Sequence, residues 1–155
     1  LQLSYGRERI HDLIDEIGPL LLENYHEISR DLDIPLDPDW ERYKLIEEQG
    51  NLRVYTARDS DDLLIGYCAF FVNYNLHYKS SLQAVQDVLY TEKERRGFGK
   101  KFIAWCDEQL TDEGVQKIYH HTKAKHNFGP MLETLGYELA DLLYAKRADL
   151  VLSHD

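Results

Sequence analysis

Three consecutive strand-forming runs constrain this chain more than any other feature. Residues 52–57 carry Val54, Tyr55 and Thr56, residues 63–77 form a long apolar and aromatic run, and residues 82–91 form a third. Polar turns at 58–62 and around Ser80-Ser81 separate them. Runs of this kind, joined by connections this short, predict an antiparallel meander. Around it the periodicity changes. In 7–30 the apolar residues Ile10, Ile14, Ile17, Leu21, Tyr25 and Ile28 recur at three or four, which predicts a helix with a break at Gly18-Pro19. Residues 31–39 read as a loop. Residues 40–49 read as a second helix, capped by Asp37 or Asp39 and stopped at Gly50. Phe102, Cys106 and Leu110 mark a helix that runs to Thr111. Then come a strand over 115–121, a short helix over 127–135 ended by Gly136, and closing strands over 137–140 and 142–148. With a short edge strand over 1–5, the order is β, α, α, β, β, β, α, β, α, β, β. The expected class is α/β (α+β), a mixed and mostly antiparallel sheet with helices on its faces.

The length of 155 residues suits a single domain over 1–155, able to bury roughly 68–70% of its unfolded surface. Apolar residues at 43% and charged residues at 30% fit neither a disordered chain nor a fibrous repeat. No run approaches the ~18 apolar residues that cross a membrane. The start, Leu1-Gln2-Leu3-Ser4-Tyr5, has neither the basic region nor the apolar core of a signal peptide. It also has no Met, so residues are expected to precede it. The expected location is the cytoplasm. Cys68 and Cys106 sit in apolar surroundings and read as buried free thiols, with a disulfide or a metal role as the alternative.

Charge is distributed unevenly. The formal net charge is -10. Residues 1–64 hold 16 acids and 7 bases, whereas residues 65–155 hold 12 acids and 11 bases. This balance disfavours a general nucleic-acid surface. Within the balanced half, residues 93–101 (K-E-R-R-G-F-G-K-K) carry five bases and one acid. A second group holds Lys117, His120, His121, Lys123, Lys125 and His126. A small, strongly anionic ligand suits such patches, and ordinary solvated surface is the plainer reading.

The glycines sharpen that choice. Gly97 and Gly99 let the backbone turn tightly and approach a ligand closely. The helix after them opens with free N–H groups, whose donors and dipole suit a phosphate or pyrophosphate. Arg95, Arg96, Lys100 and Lys101 add positive charge. The turn is not a P-loop, since Gly-Lys-Ser/Thr is absent. It is not a dinucleotide fingerprint either, since the third glycine is missing and the preceding strand belongs to a meander.

Leu89-Tyr90-Thr91, the run from Arg96 to Ile103, and Leu132-Glu133-Thr134-Leu135-Gly136-Tyr137 together resemble the GCN5-related N-acetyltransferase (GNAT) superfamily. The likeness covers nearly the whole chain. More narrowly, 82–90, 119–123 and 143–147 are similar to small acetyltransferases found in bacteriophage genomes. The resemblance implies a GNAT-like sheet with splayed strands, 82–91 and 115–121, around an acyl-CoA cleft. It implies acetyl-CoA as acyl donor, its pyrophosphate held over an Arg/Gln-x-x-Gly-x-Gly/Ala turn. Placing the pattern on Gly97 and Gly99 puts Glu94 first, and placing Arg96 first leaves Lys101 at the final small position. The spacing to Phe102 and Ile103 favours the first placement. The implied cofactor contacts are Val88, Leu89, Tyr90, Arg95, Arg96, Gly97, Phe98, Gly99, Lys100, Lys101 and Asn127.

The implied reaction moves an acetyl group to a primary amine, either of a small molecule or of a protein. It needs a neutral amine, a held geometry and donors for the carbonyl oxygen. Asp87 is the candidate proton acceptor, and a carboxylate that merely orders its neighbours is the structural alternative. Parity places it with Gln83, Val85 and Leu89 if no bulge intervenes. The family's usual general-acid Tyr falls on Leu132, so Tyr90, Tyr119, His121 and Tyr144 become the candidates to replace it. The spacing of His121 and His126 lets them approach across a turn, but a zinc site there has no nearby Cys, and no metal is expected. The acids Asp31, Asp33, Asp37, Asp39 and Glu41, beside Trp40, would draw a cationic amine. Tyr74, His77 and Tyr78 would supply aromatic walls. Three readings follow: an N-acetyltransferase; a noncatalytic relative that binds a host or regulatory protein; and an acyltransferase using another acyl-CoA or acting on a modified nucleotide. A homodimer is compatible with each.

Overall fold

The computed structural model describes residues 2–150, except the side chains of Ile28 and Arg96, which lie outside the described residues. Five strands form one sheet in the order β1-β2-β3-β4-β5. They are β1 (Ser4–Arg7), β2 (Leu52–Arg58), β3 (Leu64–Tyr74), β4 (Leu82–Thr91) and β5 (Lys117–Tyr119). The first four run antiparallel, and β5 joins β4 in parallel. The predicted meander is therefore present, with β4 at its predicted bounds.

Alternation along the central strands feeds two cores, one on each face. Cys68, Phe70 and Val72 of β3 face the helix α3 (Gly99–Asp112), whose Phe102, Cys106 and Leu110 are fully buried at the predicted four-residue spacing. Tyr67 and Ala69 face the other side, against Ile10, Leu13 and Ile17 of α1 (Ile10–Ile28). Cys68 and Cys106 are buried and free, and burial pushes the Cys68 thiol pKa up. Ion pairs tie the edges to the helices. Arg58 on β2 holds both Glu8 (2.9 Å) and Glu16 of α1 (2.8 Å), and Arg53 holds Glu113 at the end of α3 (3.0 Å).

Four expectations need correction. The first helix does not break: α1 runs through Gly18-Pro19. Pro19 and Asp15 are both exposed, so the carbonyl that loses its i→i−4 partner faces water, where the loss costs little. The stripe also shifts: Leu13, rather than Ile14, is the fully buried residue between Ile10 and Ile17. The edge strand lies at Ser4–Arg7 rather than 1–5, because its register pairs Ser4 with Arg58 and Arg7 with Tyr55. Finally, 137–140 and 142–148 form no strand. The segment has no regular secondary structure, with Leu139, Leu142, Leu143 and Tyr144 exposed. Arg147 closes its far end, pairing with Asp33 (2.8 Å) and Asp31 (3.3 Å).

Two helices complete the frame. Asp39 caps α2 (Trp40–Glu48), accepting the Arg42 N–H at 3.0 Å, and Gly50 takes the left-handed φ of +80° that ends it. The short α4 (Gly129–Glu133) follows β5 and stops before Gly136, at φ +91°.

Candidate active site

The site begins with an irregularity in β4. Ala69 pairs with Val88 and the next residue, Phe70, pairs with Gln86, so Asp87 is the extra residue of a β-bulge. A bulge resets the side-chain alternation of its strand. Ala84 and Leu89 pack on the α3 side, whereas Asp87 and Val88 both open toward α1 and α2, the face on which Tyr90 is buried. The uninterrupted parity that grouped Asp87 with Leu89 is thereby corrected.

Asp87 and Val88 line a cleft between the sheet and the first two helices. Its other walls are Ile10, Ile17, Leu21, Trp40, Tyr43, Val54, Tyr67 and Ala69. Asp87 is the only charged side chain among these lining residues. Tyr43 donates its hydroxyl to Asp87 Oδ2 at 2.5 Å. Burial, then this carboxylate, push the Tyr43 pKa up, so the proton stays on tyrosine and Asp87 is the acceptor. Trp40 and Tyr43 lie three apart on one face of α2, and Phe71 stacks on Tyr43. Trp40 was already a candidate beside the acceptor; Tyr43 and Tyr67 were not. The helical spacing from Trp40 was the one signal that pointed to Tyr43.

Beyond Val85 and Tyr119 the pairing of β4 with β5 stops, so the strands part at the bulge. Two histidines sit where they separate. His121 Nε2 lies 3.0 Å from Gln86 O, and His120 Nδ1 lies 2.7 Å from Gln86 Oε1. Burial lowers the His120 pKa to about 4, with His121 adding a smaller push, so His120 is neutral near pH 7. His126 turns elsewhere, with Nε2 3.1 Å from Glu27 O on α1. His121 and His126 therefore have separate partners.

The glycine turn follows β4 as a short 3₁₀ segment, Lys93–Phe98, that leads directly into α3. Gly97 is exposed, with open space where a Cβ would stand. Gly99 is buried, and a Cβ there would touch Met131 Cε and Thr91 Cγ2, each at 3.9 Å. Lys101 is exposed and lines an open cleft with Glu94, Gly97 and Phe98. Gly99 is enclosed whereas Lys101 is exposed, which fits the placement of the turn pattern on Gly97 and Gly99. The residues present fit an anionic donor: the N-terminal end of α3, an open glycine, and exposed Lys100 and Lys101. Arg95 is already engaged, paired with Asp59 and with Glu92 (3.3 Å). Phe98 is a core residue against Phe102.

The remaining candidates fall outside the acidic cleft. Tyr90 is buried, stacks on Tyr67 and donates to Glu23 Oε2 at 3.2 Å. Tyr119 lies beneath the Lys117 ammonium, 4.9 Å from its ring centre. Tyr144 is 87% exposed on the C-terminal segment. Asn127 Oδ1 accepts from Thr122 Oγ1 (3.0 Å) and the Gly129 N–H (2.8 Å), which orders the turn into α4. Leu132 is buried and brings no acid. Tyr74 and Tyr78 stand exposed around the β3–β4 turn, outside the cleft lining. Asp31 and Asp33 are engaged by Arg147.

No protein-family model matches the sequence, and no curated protein is similar to it. Solved structures do match its fold. An aminoglycoside acetyltransferase from an uncultured soil metagenomic sample, in complex with sisomicin, superposes with a TM-score of 0.69 at 17% identity, covering 96% of each chain. Glucosamine-6-phosphate N-acetyltransferase from Arabidopsis thaliana superposes with a TM-score of 0.71 at 12% identity, covering 96% of this chain and 100% of its own. Ribosomal-protein-alanine N-acetyltransferase from Brucella melitensis gives 0.68 at 17%, covering 94% and 99%. The architecture is GNAT-like: a mostly antiparallel sheet flanked by helices, shared with acetyltransferases over nearly its full length.

Proposed function

We propose that this protein is an N-acetyltransferase that moves an acetyl group from acetyl-CoA to a primary amine. The observation that carries this reading is Asp87. It is a hydrogen-bond-accepting carboxylate, set by a bulge into an otherwise apolar cleft, at the place where β4 leaves β5. The glycine turn at the end of the same strand fits the donor's pyrophosphate. A single strand would then position both substrates, which is most of what acyl transfer asks of a protein.

When bound, the donor supplies an acetyl thioester. The chain's part is to deliver a neutral nucleophile. Asp87 accepts a proton from the ammonium, directly or through one water, and Tyr43 holds the carboxylate in place. The apolar walls keep water away from the amine. With Leu132 at the family's usual tyrosine position, the leaving sulfur takes its proton from solvent.

The three neighbours act, by name, on an aminoglycoside, an amino-sugar phosphate and a protein alanine. Shared fold therefore does not select the acceptor. The narrower likeness to phage-encoded acetyltransferases rests on its three sequence segments. The exposed apolar side chains of the C-terminal segment favour a second reading, a noncatalytic relative that docks a protein there.

Calorimetric titration with acetyl-CoA and with CoA tests the proposal, followed by thiol release on a panel of amines. Saturable binding of both, lost in Gly99→Glu, is expected. An absence of heat at several temperatures, with no thermal shift at millimolar donor, overturns it.

A further inference from the structure

The C-terminal segment is pinned at two points and unmatched between them. Tyr137 pins one end, donating its hydroxyl to Asp107 of α3 at 2.6 Å. Arg147 pins the other, with Nη1 and Nη2 on the two oxygens of Asp33 at 2.8 and 2.9 Å. α3 packs on one face of the sheet, and Asp33 lies in the loop joining the two helices of the other face, so the segment bridges the two layers. Every residue from 138 to 146 is exposed. Among the described residues, no backbone N–H or C=O of 138–146 is hydrogen-bonded.

The sequence of this stretch is matched to a copy of itself. Residues 138–146 read Glu-Leu-Ala-Asp-Leu-Leu-Tyr-Ala-Lys, with acids in the first half, a base at the end and apolar residues at the centre. Leu139, Leu142, Leu143 and Tyr144 are between 68% and 92% exposed. Arg147 is engaged by Asp31, Asp33 and Asp149, whereas Glu138 and Lys146 enter no ion pair among the described residues. Side chains alternate along a strand, and a twofold axis normal to an antiparallel ribbon sets each residue opposite one of its own face. With that axis at Leu142, Glu138 of each copy lies opposite Lys146 of the other. Ala140 then lies opposite Tyr144, and the two Leu142 side chains meet. A parallel, in-register pairing would instead set Glu138, Asp141 and Lys146 each against its own like charge, which is destabilising.

We propose that 138–146 pairs antiparallel with the same residues of a second copy, about a twofold axis at Leu142, and so forms the interface of a homodimer. The second copy supplies the partner edge that this chain lacks. It gives main-chain partners along one side of each segment and covers the apolar centre. A two-stranded ribbon is marginal by itself, but each strand here is held at both ends on a folded domain, which leaves less freedom to lose on pairing. An interface confined to this ribbon falls below the ~1,200 Å² of standard complexes, so the dimer is reversible and depends on concentration. Its residues belong to neither the Asp87 cleft nor the glycine turn, so it stands or falls apart from acetyl transfer.

Sedimentation velocity of the whole protein, over about 10 μM to 1 mM, tests this. The wild type is expected to shift from monomer toward dimer as concentration rises. Glu138→Lys and Lys146→Glu each set like charges opposite one another, and each is expected to raise the dimer dissociation constant about tenfold. An equimolar mixture of the two variants restores opposite charges at both crossings and is expected to dimerise at least as tightly as the wild type. Leu142→Cys places a thiol on the axis and is expected to give a disulfide-linked dimer on mild oxidation. Leu139→Cys, off the axis, is not, and the buried Cys68 and Cys106 stay out of the reaction. All four positions are exposed, so the variants keep the wild-type melting temperature. A monomer at every concentration overturns the proposal, whether the segment closes on its own sheet or meets a different protein. So does a dimer that the charge variants leave unchanged, a mixture that fails to restore it, or equal cross-linking at 139 and 142.

Discussion

The Tyr43 hydroxyl on α2 donates to the Asp87 carboxylate at the bulge of β4, 2.5 Å away and 44 residues along the chain. This contact docks the second helix on the strand that carries the proposed base, so packing and chemistry meet in one bond. Asp87→Asn is expected to lower kcat/KM for amine acetylation by about 10²–10⁴-fold, the usual worth of a positioned base, while CoA affinity by calorimetry stays at the wild-type value. Tyr43→Phe removes a hydrogen bond to a charged group and should cost roughly 1.5–3 kcal/mol of stability in urea unfolding with an unchanged m-value. A full loss of activity in Tyr43→Phe with unaltered stability would assign the tyrosine a direct chemical part instead.

The glycine turn makes a paired prediction. A methyl at Gly99 meets Met131 and Thr91 at 3.9 Å, ordinary contact distance. Gly99→Ala should therefore fold with a near-wild-type melting temperature and keep donor binding within a few fold. Gly99→Glu places a carboxylate at the start of α3, where the proposed donor's anion would sit. It should abolish measurable CoA binding in the same titration. Equal binding by both variants would move the anion site off this turn.

Much of this architecture was legible along the chain, and the exceptions share a cause. The meander from 52 to 91 and the buried face of α3 follow from local period, which sequence carries directly. The bulge at Asp87 carries no glycine or proline to announce it; it emerges only when β4 is registered against β3. Tyr67 read as one more aromatic in an apolar strand, because a hydroxyl with no partner among the described residues is a fact about its neighbours. The C-terminal segment failed in the opposite direction. Its residues have strand propensity, yet strand formation needs a partner edge, and 138–148 pair with none among the described residues.

His120 predicts a pH dependence with a definite sign. Its Nδ1 faces Gln86 Oε1, while Phe70, Phe128 and Tyr137 surround the ring. Burial lowers its folded-state pKa to about 4, against about 6.5 in the unfolded chain. The unfolded state therefore binds the proton first as pH falls. The stability is fully present above pH 6.5 and is lost progressively down to about pH 4, in total on the order of 3 kcal/mol. Urea unfolding at pH 7 and pH 5 should show about 2 kcal/mol of this loss. His120→Asn should flatten that interval, whatever its effect at pH 7. An unchanged slope in the variant would assign the acid sensitivity to carboxylates.

Gly66 links the sheet to the glycine turn through a single close approach. A Cβ at this position would stand 3.0 Å from Phe98 Cζ and 3.1 Å from Tyr90 O. Backbone cannot retreat cheaply there, because Gly66 pairs with both Ala57 and Thr91. The phenyl ring must move instead, and Phe98 is the residue immediately before α3 begins. Gly66→Ala should therefore destabilise by roughly 1–3 kcal/mol, the usual cost of overpacking, and should also weaken CoA binding from a distance. Adding Phe98→Leu frees the space the methyl needs. In a double-mutant cycle the pair should recover more than the two single effects predict, in both melting temperature and CoA affinity. Additive losses in the cycle would mean that strain at Gly66 dissipates within the sheet before it reaches the turn.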